Sequence, residues 1–237
     1  MLRRLVLLCA LLAASVQPLR AAEIASDPAV TQEVIAEPAG SERYVGSIQA
    51  AVPRGIAAYG PFRVLDRTRA ALVDVTDGAS PAQFAAMLRA YPNIALIEMI
   101  ECPGTEDDRA NLRLGRMIRA RGIATLVPAG GSVRSGGVEL FLAGARRIAD
   151  PAAEFAVHSG ADEDGREARD YPADAPENRA YIDYYREMGM APGQAQAFYA
   201  MTNSVPFKDA KWFNGAEMAR WVSLNRRESL DSLASVP

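Results

Sequence analysis

The chain has 237 residues, 49% hydrophobic and 23% charged, with a formal charge of −3. That is the balance of one globular domain with a substantial core plus a targeting segment. The mild acidity argues against nucleic-acid binding, and Lys208 and Lys211, the only lysines, are the sole partners open to a serine/lysine mechanism.

In chain order, residues 1–22 read as a secretory signal. Arg3 and Arg4 give a positive start, 5–16 form an uncharged apolar stretch too short to span a bilayer comfortably, and Ala21 and Ala22 offer a cleavage point. The expected location is the periplasm or the exterior, with an uncleaved anchor as the alternative. Removing 1–22 takes three arginines and no acid, leaving a charge of about −6. Cys102 is then the single cysteine, so no internal disulfide can form, and it reads as a small buried hydrophobe.

Residues 23–42 form a polar, flexible leader, 43–230 a single domain, and 231–237 a disordered tail. Within the domain, 69–76 is a β-branched run ending at the turn pair Asp77 and Gly78. Ser80 reads as the N-cap of a helix with Pro81 at its first position and Phe84, Met87 and Leu88 on one face. Residues 93–100 form a buried strand, and Asp107 and Asp108 favour the start of a helix that runs to Gly122. A further strand at 123–127 completes a β-α-β-α-β order, which predicts right-handed crossovers and a mostly parallel sheet. A Gly/Ser-rich turn at 130–137 leads to a short helix over 138–143. A strand follows at 155–158, then helices at 179–188 and 192–201.

The stretch GGSVRSGGVELFLAG (130–144), followed by FAVHSG (155–160), carries the most chemical information. A serine flanked by glycines where a turn meets a helix can present its hydroxyl outward, with the next amide aimed at the same space. His158, the only histidine, ends an apolar strand and suits a general base for Ser135. Each residue also has a plain reading, Ser135 as part of an ordinary turn and His158 as a structural residue. The segment 159–178 holds seven carboxylates against two arginines. It reads as a flexible solvated loop, or as a lid that selects cationic substrates. It lacks the spacing of a calcium loop, so no metal and no cofactor is expected.

The order of PG turn, amphipathic helix, strand, Ser-bearing glycine turn, FLAGARR (141–147) and a strand ending in His resembles the proteolytic subunit of Clp proteases. It is similar above all to exported relatives within the Clp/crotonase superfamily, over roughly two thirds of the chain (69–224). The resemblance implies an α/β Clp/crotonase-like fold, with a mostly parallel sheet, repeated ββα-type units and C-terminal helices. It implies that Ser135 is the nucleophile of a serine hydrolase, with His158, 23 residues on, as its base and Asp209 as the residue that orients the imidazole. Asp209 also reads as a surface or capping residue, and Asp183 and Glu187 are weaker alternatives. The PG turn stands here as Cys102, Pro103, Gly104 and Thr105, so the oxyanion is expected at the amides of Thr105 and Gly136, beside Gly104. The implied partner is a peptide or acyl substrate, with homo-oligomers (rings or trimers) as the implied assembly.

Two departures from the family pattern stand out. Thr105 replaces a glycine, where a positive φ would be costly, and Glu139 occupies a position that is usually apolar, one helical turn from Ser135 on the same face. Two alternatives follow: a non-catalytic binding or assembly module, and a crotonase-like enzyme that stabilises an enolate with Glu139 as acid or base. Coenzyme A esters are cytoplasmic, which counts against the latter in an exported protein.

Overall fold

The computed structural model describes residues 48–226. The expected signal, leader and C-terminal tail lie outside the described residues. The domain opens with a hairpin of β1 (Ala57–Tyr59) and β2 (Phe62–Val64), which the sequence reading did not anticipate, turning through Gly60 and Pro61. Next come β3 (Arg69–Leu72) and α1 (Ser80–Ala90). The chain then runs strand, strand, helix three times over. The units are β4 (Leu96–Met99), β5 (Glu101–Cys102) and α2 (Asp108–Ala120); β6 (Ala124–Val127), β7 (Ser132–Arg134) and α3 (Gly136–Leu142); and β8 (Arg147–Ala149), β9 (Glu154–Val157) and α4 (Pro176–Glu187). The C-terminal part is α5 (Pro192–Thr202), β10 (Lys211–Asn214) and α6 (Gly215–Met218).

In each unit the first strand joins a six-stranded sheet, in the order β1-β2-β3-β4-β6-β8. The second joins a four-stranded sheet, in the order β10-β9-β7-β5. All pairings among β3, β4, β6 and β8, and among β5, β7 and β9, are parallel. Only the β1–β2–β3 meander and the β9–β10 edge are antiparallel. This is the mixed α/β, mostly parallel architecture of ββα units that the sequence led us to expect.

The capping of α1 differs from expectation. Ser80 is the first helical residue and Ala79 the N-cap, with no side-chain cap; the preceding turn is held by Asp77, whose Oδ1 accepts from the amides of Ala79 and Ser80 and from the Ser80 hydroxyl. Helix α2 starts as the sequence suggests, with the Asp107 side chain accepting from the Ala110 amide at 2.9 Å. Its apolar stripe of Leu112, Leu114 and Ile118 is buried. The core runs through Phe62, Phe84, Ile97, Phe141, Phe155, Tyr184 and Phe198. Within the small sheet, Arg134 is buried on β7. It donates to Glu101 on β5 at 2.5 Å and to the Ser132 hydroxyl at 2.6 Å, which in turn donates to Glu154 on β9. A buried guanidinium held in this way ties three strands together, and losing its partners would be costly.

Candidate active site

Because β5, β7 and β9 are parallel, their C-terminal ends lie at one edge of the small sheet, where α/β proteins place ligands. The residues that follow those ends are Thr105, Ser135 and His158. All three line one cavity of about 910 Å³, together with Gly136 and Glu139. The ββα repeat thus delivers one piece of the site per unit.

Ser135 joins β7 to α3 with φ 47° and ψ −129°; no other non-glycine residue among those described has a positive φ. A left-handed serine costs roughly 1–3 kcal/mol, so the surrounding structure must hold it there. The hold is visible on both sides. The Ser135 amide donates to Ala156 on β9 at 2.9 Å, and its carbonyl accepts from Val138 in α3. Gly104, at φ 144°, lies so near that an added Cβ would be 3.1 Å from Ser135 Cβ.

The two expected oxyanion donors are also positioned. Thr105 forms an isolated parallel bridge with Thr76, in which the Thr76 amide donates to Gly104 and the Glu106 amide donates to Thr76. In such a bridge the Thr105 N–H points away from its partner strand, and among the described residues it has no acceptor. The Gly136 N–H opens α3, where no helical acceptor exists. Asn111, buried on α2, fixes the two amides relative to one another. It donates to the Gly136 carbonyl at 2.7 Å and accepts from Thr76, whose hydroxyl also reaches the Gly104 carbonyl. Thr105 has no positive φ, so the strain feared from its replacement of glycine does not arise. Its hydroxyl points into the turn, donating to the Thr76 and Asp107 carbonyls, and its methyl packs where a Cβ on Gly136 would be 2.5 Å away.

His158 is 9% exposed, and its Nδ1 lies 2.8 Å from the Ser159 carbonyl. A carbonyl only accepts, so the proton sits on Nδ1 and Nε2 keeps its lone pair. Nε2 has no partner among the described residues. Burial pushes the imidazole below its ordinary pKa of 6.5, against an opposing pull from the Ser159 carbonyl, Asp108 and Glu167, so it is neutral at pH 7. The edge of His158 meets the Phe207 ring at 5.2 Å, and no hydrogen bond joins it to Ser135.

Glu139 is buried, at 7% exposure. It accepts from the Tyr185 hydroxyl at 2.7 Å, and its carbonyl accepts from the Tyr184 hydroxyl at 2.6 Å. Burial raises its carboxyl from 4.5 to about 7, although the Tyr185 hydrogen bond lowers it. Asp108, on the cavity rim, is raised too. It remains solvent-exposed, so its desolvation is that of a concave wall rather than of a core. The aromatic ring system of Tyr181, Tyr185 and Tyr199 forms the adjoining wall.

No protein-family model matches the chain, and no curated protein matches it. Among solved structures, the chain is similar to a ClpP1 variant of Listeria monocytogenes (18% identity over 71% of this chain and 95% of that one, TM-score 0.48). It is likewise similar to an enoyl-CoA hydratase of Streptomyces avermitilis (16% identity over 76% of each chain, TM-score 0.49). A third likeness is to a membrane-bound stomatin-specific protease solved with a substrate peptide (16% identity over 65% of this chain and 75% of that one, TM-score 0.41). The cavity of this chain has a geometry of its own.

That geometry separates the expected residues. Ser135, His158, Thr105, Gly136 and Glu139 share the cavity, and Gly104 backs Ser135 from behind. Asp209 does not join them. It is exposed, and its amide donates to the Pro206 carbonyl in a turn that carries it past the site. The same segment presents Phe207 to His158 instead. Lys208 and Lys211 are exposed and do not line the cavity, nor do Asp183 and Glu187, which form ion pairs with Arg186 and Arg116. The acidic segment 159–178 is a folded wall rather than a loose loop. It is closed by an Ala161–Glu167 bridge, by Asp162 accepting from Arg166 and Tyr171, and by a 3-10 turn over Ala168–Asp170. Sequence reasoning missed the Ser159 carbonyl, Asn111 and Tyr185. The first acts through its backbone, and the Asn111 side chain acts on a backbone carbonyl; no residue pattern advertises either.

Proposed function

We propose that the chain is a serine hydrolase acting on peptide or related acyl substrates, working in the periplasm if the signal read at 1–22 operates. The reading is carried by one observation: a positive-φ serine at a strand-to-helix junction shares a cavity with two amides and a neutral histidine Nε2 that have no partner among the described residues. Ser135 Oγ bonds to the substrate's acyl carbon while its proton passes to His158 Nε2. The carbonyl oxygen takes up the electron pair and is met by the Thr105 and Gly136 amides. Collapse breaks the bond to the leaving group, which takes the proton from His158, and water then releases the acyl group by the same route. The Ser159 carbonyl, not Asp209, holds the imidazole in the required tautomer. A carbonyl stabilises the imidazolium less than a carboxylate does, so this dyad is expected to be slower than a full triad.

Fluorophosphonate labelling of the purified protein tests the reading. Labelling is expected in the wild type and is expected to disappear in Ser135→Ala and His158→Ala. Labelling that persists in Ser135→Ala, or is absent from the wild type, would refute it.

Glu139 favours a second reading. A buried carboxyl near neutrality, one turn beyond the Gly136 amide and in the same cavity, suits acid–base chemistry on a carbonyl-activated substrate, with Ser135 as a spectator. Abolished turnover of acyl esters in Glu139→Gln, with normal turnover in Ser135→Ala, would select it.

A further inference from the structure

We infer that the cavity receives a substrate bearing a cationic side chain, the ammonium of lysine or the guanidinium of arginine, held between the Asp108 carboxylate and the Tyr181 ring. The chemistry performed on that substrate rests on the serine-hydrolase reading; its binding does not.

The charges lining the cavity are unequal. Six carboxylates (Glu106, Asp108, Glu139, Asp162, Glu167 and Glu177) face two arginines, Arg109 and Arg166. Arg166 is already occupied, pairing with Asp162 at 3.0 Å and Asp164 at 3.1 Å and lying over the Tyr171 ring. Asp162 and Glu167 are likewise engaged, the former by Arg166 and Tyr171, the latter by the Phe207 amide and by Arg169 at 3.5 Å. Asp108, Glu106 and Glu177 remain without an ion pair among the described residues, against Arg109 alone. Such a surplus of one sign inside a concave, partly apolar wall focuses the field toward cations.

The shape agrees with the charge. The Tyr181 and Tyr199 rings are stacked with centroids 6.0 Å apart at 24°, and Tyr185 lies 6.5 Å from each. Ring faces beside a carboxylate suit an organic cation on an aliphatic stem, which gains cation–π attraction along with its ion pair. Several titratable neighbours feel the negative charge of Asp108 or Glu139. Asp108 pushes Tyr181 and Glu139 up and draws His158 up, and Glu139 pushes Tyr185 up. A bare metal ion suits the site less well, because no three metal-ligating side chains converge among the described residues. Independently of charge, the buried Nε2 of His158 on the cavity wall has no partner among the described residues, which marks the space as one that a ligand completes.

The test separates binding from chemistry. On Ser135→Ala protein, titration calorimetry compares acetylated peptide amides that differ only in a lysine, arginine, norleucine or glutamate side chain. The lysine and arginine peptides are expected to bind about tenfold tighter than norleucine, with glutamate weakest, and the margin is expected to shrink with added salt. In Asp108→Asn and in Tyr181→Leu the ratio of lysine to norleucine affinity is expected to fall toward unity. Equal affinities for lysine and norleucine, a ratio unchanged in Asp108→Asn, or no binding by any peptide would overturn the inference. In a second arm, diphenyl phosphonates with the same side chains are offered to the wild type. Charge-ordered binding in the first arm, with no phosphonate modifying Ser135 in the second, would sustain the cation site and sink the nucleophile.

Discussion

Replacing Glu139 by glutamine probes a strongly perturbed carboxyl in the site, because glutamine keeps the shape and the acceptor for Tyr185 but cannot ionise. Folding raises the carboxyl from 4.5 to about 7, a rise that at about 1.4 kcal/mol per pH unit corresponds to roughly 3 kcal/mol. The sign follows from linkage. The folded state holds the proton more tightly than the unfolded state does. The contribution is therefore complete below pH 4.5, drains away between 4.5 and 7, and is flat above. Between pH 5 and pH 8 the wild type should lose about 2.5 kcal/mol that Glu139→Gln keeps. Urea denaturation of both proteins at these two pH values reads the effect, because titrations not coupled to Glu139 are shared and cancel in the difference between them. If the stability offset between wild type and variant is the same at pH 5 and pH 8, Glu139 is an ordinary solvated carboxylate. Its place in the cavity wall, and the acid–base reading built on it, then fall together.

Other consequences are open to the same kind of check. Since His158 must be neutral to accept the Ser135 proton and burial lowers its pKa, the acid-side midpoint of kcat/KM for an ester substrate should lie below 6.5. A midpoint above 6.5 would contradict that environment. Asn111→Ala should lower kcat more than it raises KM and should cost about 1–3 kcal/mol of stability, because the buried Gly136 carbonyl loses its side-chain donor and the Thr76 hydroxyl keeps only its longer reach to the Gly104 carbonyl. Gly136→Ala drives a methyl into Thr105 and should cost about 1–3 kcal/mol while slowing labelling of Ser135, read by denaturation and by probe kinetics. Asp209→Ala and Lys208→Ala should each leave the labelling rate within about twofold of wild type, as expected of surface changes.

The helices and the β-α-β order could be read from the sequence because each carries a local signature: Asp107 as a cap, Pro81, Pro176 and Pro192 in first turns, and apolar stripes at helical spacing. Strands β7 and β8 could not be read so easily. They are three residues each, and β7 includes Arg134, which counts as polar until its buried partners Glu101 and Ser132 are known. A pattern that scores side chains singly reads such a segment as a turn. The acidic stretch 159–178 misled for a related reason. Its carboxylates accept bonds from amides and from the arginines within the stretch, so a composition typical of loose chain folds into a wall.

The third catalytic position shows where resemblance and geometry part. The segment before β10 does reach the site, since β10 runs antiparallel to β9 and the Ser159 amide donates to Val205. An acid at 207 would face the imidazole; Phe207 stands there, and the turn from Pro206 carries Asp209 two residues further on, into solvent. With an apolar ring at its edge, the imidazole cannot be oriented from that side. The orientation passes instead to the Ser159 carbonyl, which is fixed because Ser159 is itself buried and its hydroxyl donates to Asn203 at 2.9 Å. Asn203 is in turn tied to the Tyr199 carbonyl near the end of α5. His158 is thus positioned by the helix that also supplies a ring to the cavity, so movement of α5 would register at His158 and in the cavity together.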